Sequence, residues 1–162
     1  MIDRAVEAHF PLEQLVIAMQ QHRAPRIIRT EGYYGNVLAS PGISVLPGCL
    51  TSVGLAKGYV NPILDVVPQD DDHEIFQHVD DLHESVIAPS ELEMVSKTVR
   101  YASTLAKAIE DSGLPISVKP VVLTNANPLV AQAIATSLNT QGYPVKTAKV
   151  ADDLGASFMA GR

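Results

Sequence analysis

The sequence predicts an α+β fold: a small antiparallel sheet with helices packed on one face. Three observations carry this. Residues 90–113 combine a helix-capping start with a long apolar stripe at helical spacing. Residues 26–39 and 74–88 each read as strand–turn–strand. Helical and strand-like segments then alternate without an internal repeat or low-complexity tract, and 162 residues fit one domain, so the expectation is a single unit over 1–162.

The elements follow in order. Pro11 suits a first helical turn, and Leu12, Leu15, Val16 and Met19 share a face, predicting a helix over 11–22. RIIRTEGYYGNVLA predicts a hairpin that turns at Glu31–Gly32 or Gly35–Asn36. SPGISVLPGCLTS places two Pro-Gly dipeptides around a short strand-like run. Leu55, Tyr59 and Ile63 mark a helix that Pro62 should kink or end. Two short strands, 74–79 and 82–88, are expected to join at Asp80–Asp81.

The next helix starts at Ser90 with Glu93 three residues on. Leu92, Val95, Val99, Ala102, Leu105 and Ile109 form its face, and Gly113 and Pro115 stop it. A strand is expected in ISVKPVVLT, a helix from Asn127–Pro128 to Gly142 with Val130, Ile134 and Leu138 aligned, and short strands at 144–148 and 154–158.

Composition narrows the function. No apolar run approaches the ~20 residues of a membrane helix, and MIDRAVEAHF, with Asp3, Glu7 and His9, has no signal-peptide core. No membrane partner is expected, and the compartment is otherwise open beyond an intracellular expectation. The single cysteine, Cys49, excludes an internal disulfide and a cysteine zinc cluster. A net charge of −6 argues against a free-standing nucleic-acid binder. The charge is uneven, however. Nine of the eighteen acids fall between Asp70 and Glu93, whereas Arg23, Arg26 and Arg29 form an early basic strip.

FQHVDDLHE is the chemically richest stretch. Adjacent strand residues point to opposite faces, so one aspartate of Asp80–Asp81, with a carboxylate from another strand, is the natural pair for Mg²⁺. Two such ions activate a hydroxyl and stabilise a leaving pyrophosphate. Two other readings compete. Asp-Asp is at home in a solvated turn. His73, His78, Asp80, Asp81 and His83 also offer the ligands of a Zn²⁺, Mn²⁺ or Fe²⁺ hydrolase, although His78 and His83 flank the turn five apart, without the i, i+4 pairing of a helix.

The order of motifs favours the first reading. GISVLPGCLTSVGLAKGY, with Gly42, Gly48 and Ser52, is followed by FQHVDDL, then by LAKAIEDSGLPISVKPVVLT with Gly113, Leu114 and Lys119, then by ADDLGASF with Leu154 and Gly155. These four blocks, over about residues 35–158, resemble the palm of reverse transcriptases, most closely those of non-LTR retroelements. The resemblance implies a palm-like antiparallel sheet and RNA-directed DNA polymerisation on a template-primer with deoxynucleotides. It implies Mg²⁺, or Mn²⁺, held by Asp80 and less directly by Asp81. Lys119 would sit near the triphosphate, Gly48, Ser52 and His78 along the nucleotide and template path, and Arg23, Arg26 and Arg29 on the template backbone.

Three departures shape the expectation. Pro47 stands where the family has Gln, and His78 where it has an aromatic. The family's first aspartate block has no counterpart before the 11–22 helix, nor have its fingers and thumb. The expectation is therefore a partial palm, inactive alone. The alternative is a decayed or repurposed palm that binds or scaffolds without catalysis.

Overall fold

A computed structural model describes residues 2–7, 9–38, 51–78, 81–114, 116, 119–153 and 156–158. It is mixed α+β, and the chain divides into two compact units, Met1–Pro62 and Ile63–Arg162. No Gly/Ser-rich linker marks the division, which falls inside a helix.

In the first unit, α1 (Ile2–Glu7), α2 (Leu12–Arg23) and α3 (Ser52–Leu64) contribute the core residues Ala5, Leu15, Ala18 and Leu55, with Phe10 and Met19 packed against them. The sequence reading put Leu12 and Val16 on the buried face of α2. Both are exposed, and Ala18 is buried instead. Pro62 lies within α3, which continues to Leu64. Proline has no N–H, so the carbonyl of Gly58 loses its intrahelical donor without ending the helix.

β1 (Arg26–Thr30) and β2 (Tyr33–Leu38) form an antiparallel ribbon turning at Glu31–Gly32, with φ of 48° and 87°. Positive φ at both central residues matches the right-handed strand twist, and Gly32 adopts it at no steric cost. This selects the first of the two turns the sequence offered. Between the Ile27–Val37 and Arg29–Tyr34 pairs the register shifts, so Gly35 and Asn36 oppose Ile28 alone, a β-bulge.

The second unit holds two substructures. β3 (His73–His78) and β4 (Asp81–Val86) pair antiparallel from His73↔Val86 to His78↔Asp81. Asp81 is thus the first residue of β4 rather than part of the turn. α4 (Glu91–Asp111) begins as expected, with the Glu93 N–H donating to Ser90 Oγ at 3.3 Å. It ends at Gly113, whose φ of +79° allows Leu114 N–H to reach the Ile109 carbonyl at 3.3 Å.

β5 (Val121–Leu123), α5 (Pro128–Thr140) and β6 (Val145–Thr147) form a β–α–β unit with β5 and β6 parallel. A parallel pair needs such a crossover. Asn127 caps α5, accepting from Leu129 N–H at 2.9 Å. Val130, Ile134 and Leu138 pack with Met94, Val95, Val99 and Ala102 of α4 and with Leu123, Tyr143 and Val145. Leu92, expected on that face, is 82% exposed in the first turn of α4.

Of the strand expected over ISVKPVVLT, Val121–Leu123 form β5 directly after Pro120, which cannot donate to a ladder, and Ser117 and Val118 lie outside the described residues. β7 (Ala151–Asp153) and β8 (Ala156–Phe158) pair antiparallel. The strand expected at 154–158 is thus the second arm of a short hairpin.

Among the described residues the strands form four separate two-stranded ladders, three antiparallel and one parallel, rather than one sheet. No described helix is long and apolar enough to cross a membrane.

Candidate functional site

The β3–β4 hairpin positions the acidic motif. Cross-strand partners share a face and strand neighbours alternate, so the register sorts the side chains. His73, Ile75, Gln77, Leu82, Glu84 and Val86 take the inner face, while Glu74, Phe76, His78, Asp81, His83 and Ser85 take the outer one. Burial follows this division: His73 is buried, whereas Glu74, Phe76, His78, Asp81 and Ser85 are exposed.

The inner face docks on α4. The His73 ring lies flat on the Tyr101 ring, with centroids 4.0 Å apart and planes 7° from parallel. His73 Nδ1 is 2.8 Å from the Pro68 carbonyl, and His73 Nε2 is 3.4 Å from Glu84 Oε1. Burial pushes the Glu84 carboxyl above its ordinary value of 4.5, with His73 opposing. Tyr101 is fully buried. Its hydroxyl donates to Asp70 Oδ2 and accepts from Arg100 Nη2 at 2.8 Å. The hydrogen bond to Asp70 comes first in holding the Tyr101 hydroxyl above its ordinary value, with burial adding to it.

Lys97 pairs with Asp72, and that bond lowers the Asp72 carboxyl and raises the Lys97 ammonium. The backbone adds His73 N–H to Asp70 O at 3.0 Å and Ile87 N–H to Asp72 O at 2.8 Å. Two of the three acids just upstream of the hairpin, Asp70 and Asp72, thus hold the hairpin to the helix.

The residues named from the sequence fall as follows. Asp81 is exposed at the start of β4, directly opposite exposed His78. Lys119 is exposed in the connection between α4 and β5. Ser52 opens α3 and is half-buried. Arg23 ends α2, Arg26 donates from Nη2 to the His22 carbonyl at 3.2 Å, and Arg29 holds its guanidinium 5.5 Å above the Tyr34 ring. Asp80, Gly48, Pro47, Gly42 and the Leu154–Gly155 pair lie outside the described residues. Ser52 and the arginines belong to the first unit, and His78, Asp81 and Lys119 to the second.

Metal chemistry was tested against this donor set. Among the described residues no three His, Cys, Asp or Glu side chains converge on an ion. Of the Asp80–Asp81 pair, Asp81 is described and Asp80 lies outside the described residues. The hydrolase set fares differently, because His73 is on the inner face, away from His78 and His83 on the outer one.

The sequence reading missed the His73–Glu84–Tyr101 cluster. The signal was available: period-two alternation from His73 marks one face of β3, and Lys97, Tyr101 and Leu105 recur every four residues, a second stripe on α4.

No family model, no curated protein and no solved structure matches this chain.

Proposed function

We propose that this chain is a partial palm domain of a reverse transcriptase of the non-LTR retroelement type, and that these 162 residues do not polymerise alone. The observation that carries the reading is the hairpin in which His78 pairs with Asp81, with Val79 and Asp80 between them in sequence. An exposed aspartate opens the second strand beside the neighbour that the family uses as its metal ligand. The order of elements adds support: a helix beginning at Ser52, the acidic hairpin, a helix ending at Gly113 with Lys119 beyond it, and a last short hairpin around Leu154–Gly155.

In this reading Asp80 and Asp81 meet Mg²⁺ or Mn²⁺, and Lys119 offsets charge on the leaving pyrophosphate. Gly48, Ser52, His78 and the three arginines contact nucleotide and template. The family's first aspartate block has no counterpart in the sequence, so the ion is held weakly.

Two measurements test this. Purified chain with primed poly-rA, thymidine triphosphate and Mg²⁺ should give no template-dependent incorporation, and incorporation would overturn the predicted inactivity. Mn²⁺ added to ¹⁵N-labelled chain should broaden the signals of residues 78–83 first. Broadening elsewhere with 78–83 unmoved would overturn the metal assignment.

One observation favours a second reading, a non-catalytic binding or structural module. Asp70, Asp72, His73 and Glu84 are engaged within the fold, so much of the acidic centre serves packing. That module predicts no preferential Mn²⁺ effect at the hairpin tip.

A further inference from the structure

We propose that His73 and Glu84 hold one proton between them, and that this proton latches the β3–β4 hairpin, with its aspartate tip, onto α4. The inference goes beyond the polymerase reading and stands whether or not the tip binds metal.

The geometry fixes where the proton goes. The Pro68 carbonyl can only accept, so His73 Nδ1 must carry a hydrogen to bond it at 2.8 Å. In the neutral ring Nε2 is then a bare acceptor, and it faces Glu84 Oε1 at 3.4 Å. Neither atom has another hydrogen-bond partner, and both are buried. The His73 side chain is fully buried and that of Glu84 is 18% exposed.

With one proton the pair is net neutral, either as carboxylic acid and imidazole or as carboxylate and imidazolium. Both forms place a hydrogen between Nε2 and Oε1, and a small rotation of the Glu84 side chain completes the bond. With no proton, a carboxylate faces a lone pair in an apolar interface. With two, an imidazolium is buried without a counter-charge. Each of these states leaves an uncompensated charge against α4.

The surrounding charges do not rescue the empty state. On α4, Arg100 and Tyr101 are committed to Asp70, and Lys97 to Asp72. Asp70 and Asp72, from the segment before β3, are held by those same groups. On the hairpin, Glu74, His78, Asp81 and His83 belong to the opposite face.

The sign follows. Burial raises the Glu84 carboxyl above its ordinary value, so the contribution of the protonated pair to docking is lost as pH rises through the raised value. The hairpin therefore loosens on the alkaline side of that titration, and its tip with it.

Native-state hydrogen exchange on the whole chain tests the latch. After correction for intrinsic exchange, the β3 and β4 amides, compared with those of α5, should lose about tenfold in protection for each unit by which pH exceeds the Glu84 titration, up to the full shift. Glu84→Gln should abolish that pH dependence, while a profile parallel to wild type would overturn the proposal. Should Glu84→Gln fail to fold, wild-type NMR decides. The Glu84 side-chain ¹³C shift should titrate with a midpoint above 4.5. A Glu84 midpoint at or below its ordinary value would overturn it.

Discussion

Tyr101 shows how much one side chain carries. Its ring supports His73 from below, its hydroxyl joins Asp70 to Arg100, and its other face lies 4.6 Å from the Arg100 guanidinium. Tyr101→Phe keeps the stack and removes the hydroxyl, leaving Arg100 and Asp70 to meet directly at the 3.6 Å already between them. We expect a loss of roughly fivefold in the folding equilibrium constant, read by urea denaturation. Tyr101→Ala also removes the platform for His73 and should cost far more, with exchange at β3 rising first. Equal costs for the two variants would show that the stack contributes nothing. The sequence held the stripe of Lys97, Tyr101 and Leu105 but not the partners that Tyr101 joins. Tyr101 is separated from Asp70 by 31 residues, and only the fold brings them together. The aspartates and histidines were visible as chemistry, whereas their division between the two hairpin faces required the register.

At the scale of elements, local signals were read well and long-range pairing was not. Ser90 predicted its helix because a hydroxyl three residues before a free N–H is a local relation. Ser90→Ala should cost about 1 kcal/mol in chemical denaturation. Ser90→Asp should retain most of the stability, and a neutral Ser90→Ala would remove the cap from the account. The two main hairpins and the α5 start were legible for the same reason. The assembly of strands was not. Val121–Leu123 pairs in parallel with Val145–Thr147, across an entire helix, and nothing in either tripeptide specifies that partner. The single antiparallel sheet that the resemblance implies is replaced, among the described residues, by separate ladders. β5 follows directly on Pro120, and the β1–β2 ribbon pairs only with itself.

At the scale of the molecule, the two units differ in charge and in core. Residues 1–62 carry five Lys or Arg and four Asp or Glu, and residues 63–162 carry seven and fourteen. The described core cluster of the first unit has four buried residues, two of them alanines, whereas that of the second joins a 21-residue helix to a 13-residue one. Less apolar area removed from water means less free energy resisting opening. Amides of α1–α3 should therefore exchange well before those of α4 and α5, and simultaneous exchange would mean a single cooperative unit.

The β1–β2 ribbon carries a further consequence. Ile27, Ile28, Tyr33, Tyr34, Val37 and Leu38 are all exposed, and among the described residues no third strand pairs with the ribbon. Such a ribbon is a template on which another copy's strand can add. Arg26 and Arg29 lie within β1, and the Gly35–Asn36 bulge breaks the regularity of β2. Charge on a strand and a bulge in its partner are features that disfavour such addition. The arginines that look made for phosphate thus also place positive charge on the strand most open to self-addition, a consequence independent of any phosphate.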